Sequence, residues 1–270
     1  MEKVKTTYVC TDVNVGNGLT LYVDGNSKIT VTNGTYESPL PNALSLPHIS
    51  TCPGATEKCM KSCYVYGLQQ NAPEVYSKYC KNEQVLHKIF LSNDLLISTA
   101  KRFADWITRN CKGGFRWHIS GDIMNYKHFD WICFVAEYAP DINFLLYTRT
   151  LDIYGIKPLT MYDNLVVNIS ADGDNYVKAR EVANKLDVRL CYFSHDGELP
   201  DDLIASDVIF PNYSLRGRDL EKPTEHEWWK GLTHQQKSMV CPADFFGQSE
   251  QHRCGPCGKC LRRPKVDVLR

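Results

Sequence analysis

The chain lacks an excess of charge of either sign and lacks an apolar run long enough to cross a membrane. Its 270 residues include 31 Lys plus Arg and 31 Asp plus Glu, so no global positive field attracts nucleic acid. No stretch of about 18 apolar residues occurs, and residues 1–7 lack the layout of a secretory signal. We therefore expect a cytoplasmic protein with no membrane partner and no strong nucleic-acid signal.

Also lacking are a long linker, a low-complexity stretch and a glycine-rich phosphate-binding loop. The hydrophobic share of 43% is enough for a substantial core. We expect one compact unit with three parts. These are an N-terminal β elaboration over residues 1–42, a core over residues 43–240 and a cysteine-rich segment over residues 241–270.

Cysteine, in contrast, is abundant and grouped. Seven of the twelve cysteines form two groups, the first spaced C-x6-C-x3-C and the second ending in C-x2-C-x2-C. The first group is Cys52, Cys59 and Cys63, and the second is Cys241, Cys254, Cys257 and Cys260. Because cytosolic thiols stay reduced, such grouping favours metal binding or catalysis over disulfides. Cys10, Cys133 and Cys191 stand alone in strand or helix patterns, and we expect them to be buried as small hydrophobic residues.

The spacing of each group favours a particular metal site. Three cysteines at the pitch of the second group place three thiolates on one iron–sulfur cubane, and Cys241 is the natural fourth ligand. Structural zinc is the alternative, although zinc more often takes two C-x2-C pairs. The first group has no obvious fourth ligand, which suggests an open coordination position. A single site shared by both groups is the alternative.

Strand and helix patterns alternate along most of the chain. Residues 19–23 and 28–32, followed by Asp24-Gly25 and Asn33-Gly34, predict antiparallel hairpins. A short strand at 43–46 leads into the first cysteine loop. Later strands are predicted at 115–119, 143–148, 165–170, 188–193, 207–210 and 238–240, and helices at 92–110, 127–139, 175–186 and from a capping box at Thr224. This alternation predicts an α/β fold with a parallel sheet, either open or a full or partial (β/α) barrel.

Polar residues follow several of these strands, at the edge where parallel α/β sheets gather ligands. His118, Ser120, Gly121 and Asp122 follow one strand, and Arg149 follows the next. For His118 a hydrogen bond to a backbone carbonyl in the core is the alternative, for Asp122 a helix cap, and for Arg149 a surface ion pair. Ser170 and Asp172 end a third strand, and His195 and Asn212 are secondary candidates on later strands.

The order of strand, three-cysteine loop, helix, Ser120-Gly121-Asp122 and Ser170-Ala171-Asp172-Gly173 resembles the core of the radical S-adenosylmethionine (SAM) enzymes. The resemblance implies a partial (β/α) barrel with a [4Fe–4S] cluster on the first loop. It also implies that SAM binds near Ser120, Asp122, Ser170 and Asp172 and is cleaved to a radical that abstracts hydrogen from a substrate. The loop here is C-x6-C-x3-C, whereas that superfamily usually has C-x3-C-x2-C.

A second resemblance spans most of the chain. Thr51-Cys52-Pro53-Gly54-Ala55, Arg116-Trp117-His118-Ile119-Ser120-Gly121-Asp122 and the Cys254–Cys260 run are similar to three motifs of the gene-product-eighty-eight family of phage proteins. This resemblance names relatives without naming a reaction, and it places the protein in the host cytosol.

Two main hypotheses of function follow. The first is a radical-SAM-like enzyme with one or two [4Fe–4S] clusters, an electron donor and a small-molecule or nucleotide substrate. The second is a non-catalytic iron–sulfur protein that carries electrons, senses redox state or contacts a host factor. Structural zinc at the terminal cysteines is a third, weaker alternative.

Overall fold

The computed structural model describes residues 10–25, 41–111, 113–247 and 254–264. Eight strands form one sheet, and their order in the sheet is their order in the chain. The strands are β1 (Thr11–Gly16), β2 (Leu19–Gly25), β3 (Pro41–Leu44), β4 (Phe115–Trp117), β5 (Phe144–Thr148), β6 (Leu165–Ala171), β7 (Arg189–Ser194) and β8 (Val208–Pro211).

The sheet has an antiparallel and a parallel part. β1, β2 and β3 pair antiparallel, whereas β3 to β8 are six parallel strands. The predicted antiparallel N-terminal elaboration is therefore confirmed for the described residues. Its tight turn is at Asn17-Gly18, where both residues have positive φ, and Asp24-Gly25 instead ends β2. The predicted strand at 28–32 and the turn at Asn33-Gly34 lie outside the described residues.

Helices occupy most of the connections between strands. They are α1 (Glu57–Lys61), α2 (Val65–Asn71), α3 (Pro73–Ile89), α4 (Asn93–Asn110), α5 (Tyr126–Tyr138), α6 (Ile153–Leu159), α7 (Tyr176–Leu186), α8 (Glu227–Gly231), α9 (His234–Met239), α10 (Pro242–Phe245) and α11 (Cys254–Cys257). Short 3-10 helices cover Tyr213–Leu215, Pro223–Glu225 and Lys259–Leu261. None of the helices in the described part of the chain is long and apolar enough to cross a bilayer.

The long helices follow from local sequence. In α4 the buried residues recur every three or four positions, and the Ser92 hydroxyl caps the helix by accepting from the Leu95 N–H at 3.1 Å. α5 begins after Asn125, whose side chain accepts from the His128 N–H at 3.0 Å, so Asn125 rather than Asp122 is its cap. The helices predicted at 92–110, 127–139 and 175–186 are all present.

Two predictions near the end of the chain are wrong. Residues 238–239 end α9, and Val240 makes only an isolated parallel bridge to Ile209, so 238–240 is not a regular strand. Thr224 lies in a 3-10 helix, and the capping box belongs instead to Thr233 and Gln236 at the start of α9. In both cases the local sequence is compatible with more than one type of secondary structure, and the tertiary contacts decide which of them forms.

The two faces of the parallel sheet differ. Alternate residues such as Trp117, Leu146 and Ile169 point into the large core beneath the helices. Leu145, Cys191 and Val208 point to the opposite face, where the terminal cysteines pack. Over the described ranges β1 and β8 are the outer strands. The α/β sheet is thus confirmed, whereas closure into a barrel is not.

Candidate functional site

The first cysteine group lies on the loop after β3, at the carboxyl edge of the parallel strands. The loop is fastened to the next strand connection, because the Asp122 N–H donates to the Thr51 carbonyl at 3.2 Å. The Tyr64 hydroxyl donates to the Ile119 carbonyl. Gly54 lies directly against the backbone after β5, since a Cβ there would be 2.0 Å from the Arg149 carbonyl oxygen. These contacts fix the position of the loop at the carboxyl edge of the parallel strands.

Helix α1 carries Cys59 and is held by two acid groups, the buried Asp172 and the exposed Asp174. The Thr56 hydroxyl accepts from the Cys59 N–H at 3.0 Å and donates to Asp172 Oδ2 at 2.5 Å. The Lys58 N–H donates to Asp174 Oδ2 at 3.0 Å. The end of β6 thus fixes the start of the cysteine helix.

Asp122 is a buried carboxylate surrounded by donors. It accepts from the Thr148 hydroxyl, the Arg149 N–H and the Ile123 N–H, each at 2.7 Å. Burial nevertheless raises the pKa of Asp122, although these hydrogen bonds oppose the shift. Its contacts join the ends of β4 and β5.

Asp172 is fully buried and pairs with Arg149, whose Nη1 donates to Asp172 Oδ2 at 2.8 Å. Burial would raise the pKa of Asp172, but Arg149 and Thr56 outweigh it and hold that pKa below its ordinary value. His195 Nε2 lies 3.7 Å from the same carboxylate oxygen, and His195 Nδ1 lies 2.9 Å from the Ser62 hydroxyl. Burial lowers the pKa of His195, which favours the neutral imidazole.

The three thiols share this environment. Burial raises the pKa of Cys52 to about 12, with Asp122 adding to the shift, and burial also raises the pKa values of Cys59 and Cys63. Cys59 and Cys63 are near enough to Cys52 to raise its pKa further. At neutral pH these thiols stay protonated unless a cation stabilises the thiolates.

The other predicted site residues have partners within the protein. His118 Nδ1 donates to the Leu44 carbonyl at 2.8 Å, and the Ser120 hydroxyl donates to the Leu46 carbonyl at 2.7 Å. Gly121 has φ +79°, and a Cβ there would lie 2.5 Å from that of Leu46. Ser170 is half-buried at the end of β6, where its carbonyl accepts from the Asn175 side chain at 3.4 Å. The structure thus brings Asp122, Arg149 and Asp172 to the first loop, while His118 and Ser120 join β3 to β4.

The second cysteine group lies on the other face of the sheet, which is covered by α10, α11 and the 3-10 helix Lys259–Leu261. Cys241 and Cys260 are buried, Cys254 is half-buried and Cys257 is exposed. The Cys241 N–H donates to the Ile209 carbonyl at 2.8 Å. The Asn168 side chain donates to the Cys260 carbonyl at 3.3 Å.

Cys191 is a functional candidate that sequence reasoning missed. It is buried as predicted, but it packs with Cys241, Cys254 and Cys260 of the terminal group. Strand alternation could have indicated it, because Arg189, Cys191 and Phe193 share one face of β7.

All twelve cysteines lie among the described residues and none forms a disulfide. Within those same residues, no three His, Cys, Asp or Glu side chains stand close enough together to hold one metal ion. An open cleft of about 370 Å³ lies beside the first loop, lined in part by Gly54, Arg149 and Asn175. A cleft of this size suits a small ligand.

Comparison with known proteins gives a family but no chemistry. The family model described as gene product 88 matches residues 20–263. The gene 88 protein of Mycobacterium phage L5 is 28% identical over 151 residues, which cover 54% of this chain and 63% of that protein. The gene 88 protein of Mycobacterium phage D29 is 27% identical over 154 residues, with the same two coverages.

The match thus spans less than two thirds of the length of either relative. No solved structure matches the chain. The resemblance to the phage family is therefore confirmed, whereas the resemblance to radical SAM enzymes receives no support from these comparisons.

Proposed function

Because the chain belongs to the gene product 88 family of phage proteins, and the names of its relatives state no activity, we propose a function from its own site. The protein is an iron–sulfur enzyme of the radical-SAM type. Cys52, Cys59 and Cys63 would hold a [4Fe–4S] cluster with one iron open to SAM. The substrate would be a small molecule or nucleotide, and the host cytosol would supply an electron donor.

One observation carries this proposal. The three-cysteine loop follows the first of six parallel strands arranged in chain order. Since crossovers between parallel strands are right-handed, such an order places the connecting helices on one face and curls the sheet toward a partial barrel. Ligands bind at the carboxyl edge of such sheets, and the loop is at that edge.

The donor set fits a cluster in its chemistry. Three thiols on one short loop are soft ligands, which suit iron–sulfur clusters and exclude hard cations such as Mg²⁺. Their raised pKa values mean that the cation, rather than a neighbouring base, must stabilise the thiolates. Because the sulfur atoms do not stand at one metal's reach, binding would have to draw the loop together.

Different residues around the loop would then have different roles in holding the cluster and SAM. Thr56 and Asp172 hold the helix that carries Cys59. Arg149 lies near Cys59 and Cys63, where its positive charge would offset part of the negative charge of a thiolate-bound group. When bound, such a cluster supplies the electron that cleaves SAM. The cleft beside Gly54 and Arg149 is the place for the cosubstrate.

The second candidate function is a non-catalytic iron–sulfur protein. It is favoured by the internal pairing of Ser120, Asp122 and Asp172, whose polar atoms already contact the protein. In that case the side chains brace the loop and do not bind SAM. The cluster would be fully ligated and would carry electrons or sense redox state.

The two functions are distinguished by anaerobic reconstitution with iron and sulfide, followed by addition of dithionite and SAM. We expect 5′-deoxyadenosine to form, and the spectrum of the reduced cluster to change when SAM is added. Cys59→Ser should abolish both, whereas Cys80→Ser, on α3, should retain both. If the cluster can be reduced but its spectrum does not change on addition of SAM, and no 5′-deoxyadenosine forms, the enzyme proposal fails and the non-catalytic function is favoured.

A further inference from the structure

The face of the sheet that the terminal segment covers carries an ordered polar row. Tyr147, Asn168 and Arg189 are register partners on β5, β6 and β7. Two residues further along β7, Cys191 pairs in register with Ser170 and Val208. Tyr147 and Ser170 are each the last residue but one of their strands, so Cys191 lies near the carboxyl ends, on the face of the sheet that the terminal segment covers.

The C-terminal segment is hydrogen-bonded to that row. Asn168 Nδ2 donates to the Cys260 carbonyl at 3.3 Å, and Arg189 Nη1 donates to the Arg262 carbonyl at 2.9 Å. The same guanidinium nitrogen donates to Asn168 Oδ1 at 3.1 Å. These contacts place the Cys260 side chain over β5 and β7.

Four cysteine side chains pack together there, and Tyr147 is packed against the same cluster. Cys191, Cys241, Cys254 and Cys260 belong to one packed cluster with Leu145 and Val208. Cys257, which belongs to the C-x2-C-x2-C run, is exposed and lies outside that cluster.

The charge around this cluster is positive. Arg189 is hydrogen-bonded to the terminal segment at the Arg262 carbonyl, and Lys259 directly precedes Cys260 in the chain. Arg116 stacks over the Tyr147 ring at 5.3 Å, and within the described part of the chain its buried Nε has no hydrogen-bond partner. The neighbouring carboxylate, Asp207, is already paired with Arg180 at 2.5 Å. Four thiolates around a metal carry net negative charge, which such surroundings would offset.

We propose that Cys191, Cys241, Cys254 and Cys260 are the four ligands of a closed thiolate metal site on this face, and that Cys257 is not a ligand. The choice of a [4Fe–4S] cluster as its occupant rests on the proposed function, whereas the ligand set does not. A single zinc ion has the same thiolate chemistry and is the other occupant that the test distinguishes.

Metal binding would have to rearrange the segment locally. The described sulfur atoms do not stand within reach of one ion. Sites of this kind commonly form only as the metal arrives, because unmetallated thiolates would repel each other. Cys241 and Cys260 are already anchored by backbone and side-chain hydrogen bonds, so the movement required is that of short segments.

The test uses the full chain with Cys52, Cys59 and Cys63 all changed to serine, so that only the terminal site can respond. Co²⁺ is titrated anaerobically, and thiolate-to-cobalt charge-transfer absorption reports binding. Since changes outside the ligand shell already cost 10–100-fold in affinity, adding Cys191→Ser should weaken binding by at least about 100-fold. Adding Cys257→Ser, or Cys80→Ser as a control, should change it less than about threefold.

A second measurement does not require the Cys191 variant to fold. In the cobalt-loaded parent, alkylation mapped by mass spectrometry should leave Cys191, Cys241, Cys254 and Cys260 protected and Cys257 labelled. Labelling of Cys191 with protection of Cys257 would overturn the assignment, and so would a loss of binding in Cys257→Ser but not in Cys191→Ser. A parent that binds no Co²⁺ would also overturn it.

Iron, sulfide and zinc counts after reconstitution of the same parent separate a cluster from a single zinc ion. The proposed enzyme is assessed independently, in a chain with Cys254→Ser and Cys260→Ser and an intact first loop. If that chain forms a cluster and cleaves SAM while the terminal assignment fails, the proposed function stands. If it forms none while the terminal site binds metal, the proposed function fails and this inference stands.

Discussion

At the residue scale, the carboxyl edge is held together by side chains that sequence reasoning located but could not pair. Asp122, Arg149 and Asp172 were predicted to meet because parallel strands end at one edge. Their mutual contacts, such as the 2.8 Å Arg149–Asp172 ion pair, depend on loop geometry that no local pattern encodes. The sequence predicts Cys191 only as an isolated hydrophobic residue, because Cys260, with which it packs, is far away in the chain.

The close packing of Gly54 against the Arg149 backbone gives a direct steric prediction. Gly54→Ala places a methyl group 2.0 Å from the Arg149 carbonyl oxygen, where backbone cannot yield. We expect urea denaturation to show a loss of about 2–3 kcal/mol in the free energy of unfolding. Gly231→Ala, whose added Cβ meets nothing within 4 Å, is the matched control and should change stability by less than about 0.5 kcal/mol. Equal stability of the two variants would contradict the close contact between Gly54 and the Arg149 backbone.

The buried Asp24 carboxyl should make the free energy of unfolding depend on pH. It is 3% exposed and accepts hydrogen bonds from Ser45 and Tyr79, and burial raises its pKa from 3.8 to about 6. The folded state therefore binds the proton more tightly than the unfolded state, so this group favours folding at low pH. That contribution, at most about 3 kcal/mol, is lost as pH rises from about 4 to 6.

Asp24→Asn removes this dependence. The stability of the wild type minus that of the variant, from urea titrations at several pH values, should fall as pH rises through this window. A difference that is flat for Asp24→Asn, or that rises with pH, would show that the carboxyl is not held in this way.

At the element scale, the β/α alternation was predictable because apolar strands and amphipathic helices have different periods. β5 to β8 and helices α4, α5 and α7 lie where the pattern places them. The short helices α9, α10 and α11 were not predictable, since four to six residues complete little more than one helical turn. The predicted strand at 238–240 is instead the end of α9.

Helix α1 provides a prediction for the first cysteine loop. The Thr56 hydroxyl caps α1 by accepting from the Cys59 N–H, and it also donates to Asp172. Thr56→Val removes both hydrogen bonds, whereas Thr56→Ser keeps the hydroxyl. A lost cap costs about 1 kcal/mol, which corresponds to roughly fivefold more frequent opening of this turn. Alkylation of Cys59 in the metal-free protein, followed by mass spectrometry, should be faster by about that factor in Thr56→Val alone. Unchanged rates would show that the cap does not hold the loop.

At the scale of the whole molecule, one sheet serves two cysteine groups. The first group lies on the loop after β3, whereas the second packs against Leu145, Cys191 and Val208 of β5, β7 and β8, and the proposal of two separate sites rests on this difference. From the sequence alone both arrangements were open, because nothing local relates residues 52–63 to residues 241–260. The side chains that seat the terminal segment, Asn168 and Arg189, lie on strands far from it in sequence.

Asn168 tests how strongly that segment is tied to the sheet. It is fully buried and contacts Leu146, Arg189 and Cys260. Asn168→Ala leaves Arg189 short of one acceptor and should lower the free energy of unfolding by about 2–4 kcal/mol. Asn110→Ala, at the exposed end of α4, should cost less than about 1 kcal/mol. Urea denaturation compares the two, and similar losses would argue against a buried polar anchor.

The central claim, that the grouped cysteines bind iron–sulfur clusters, is tested most directly by counting iron, acid-labile sulfide and zinc per chain in anaerobically purified protein. The account predicts about four iron and four sulfide for each cluster, and hence about eight of each when both sites are filled. One or two zinc ions per chain without sulfide, or no metal after reconstitution, would contradict it.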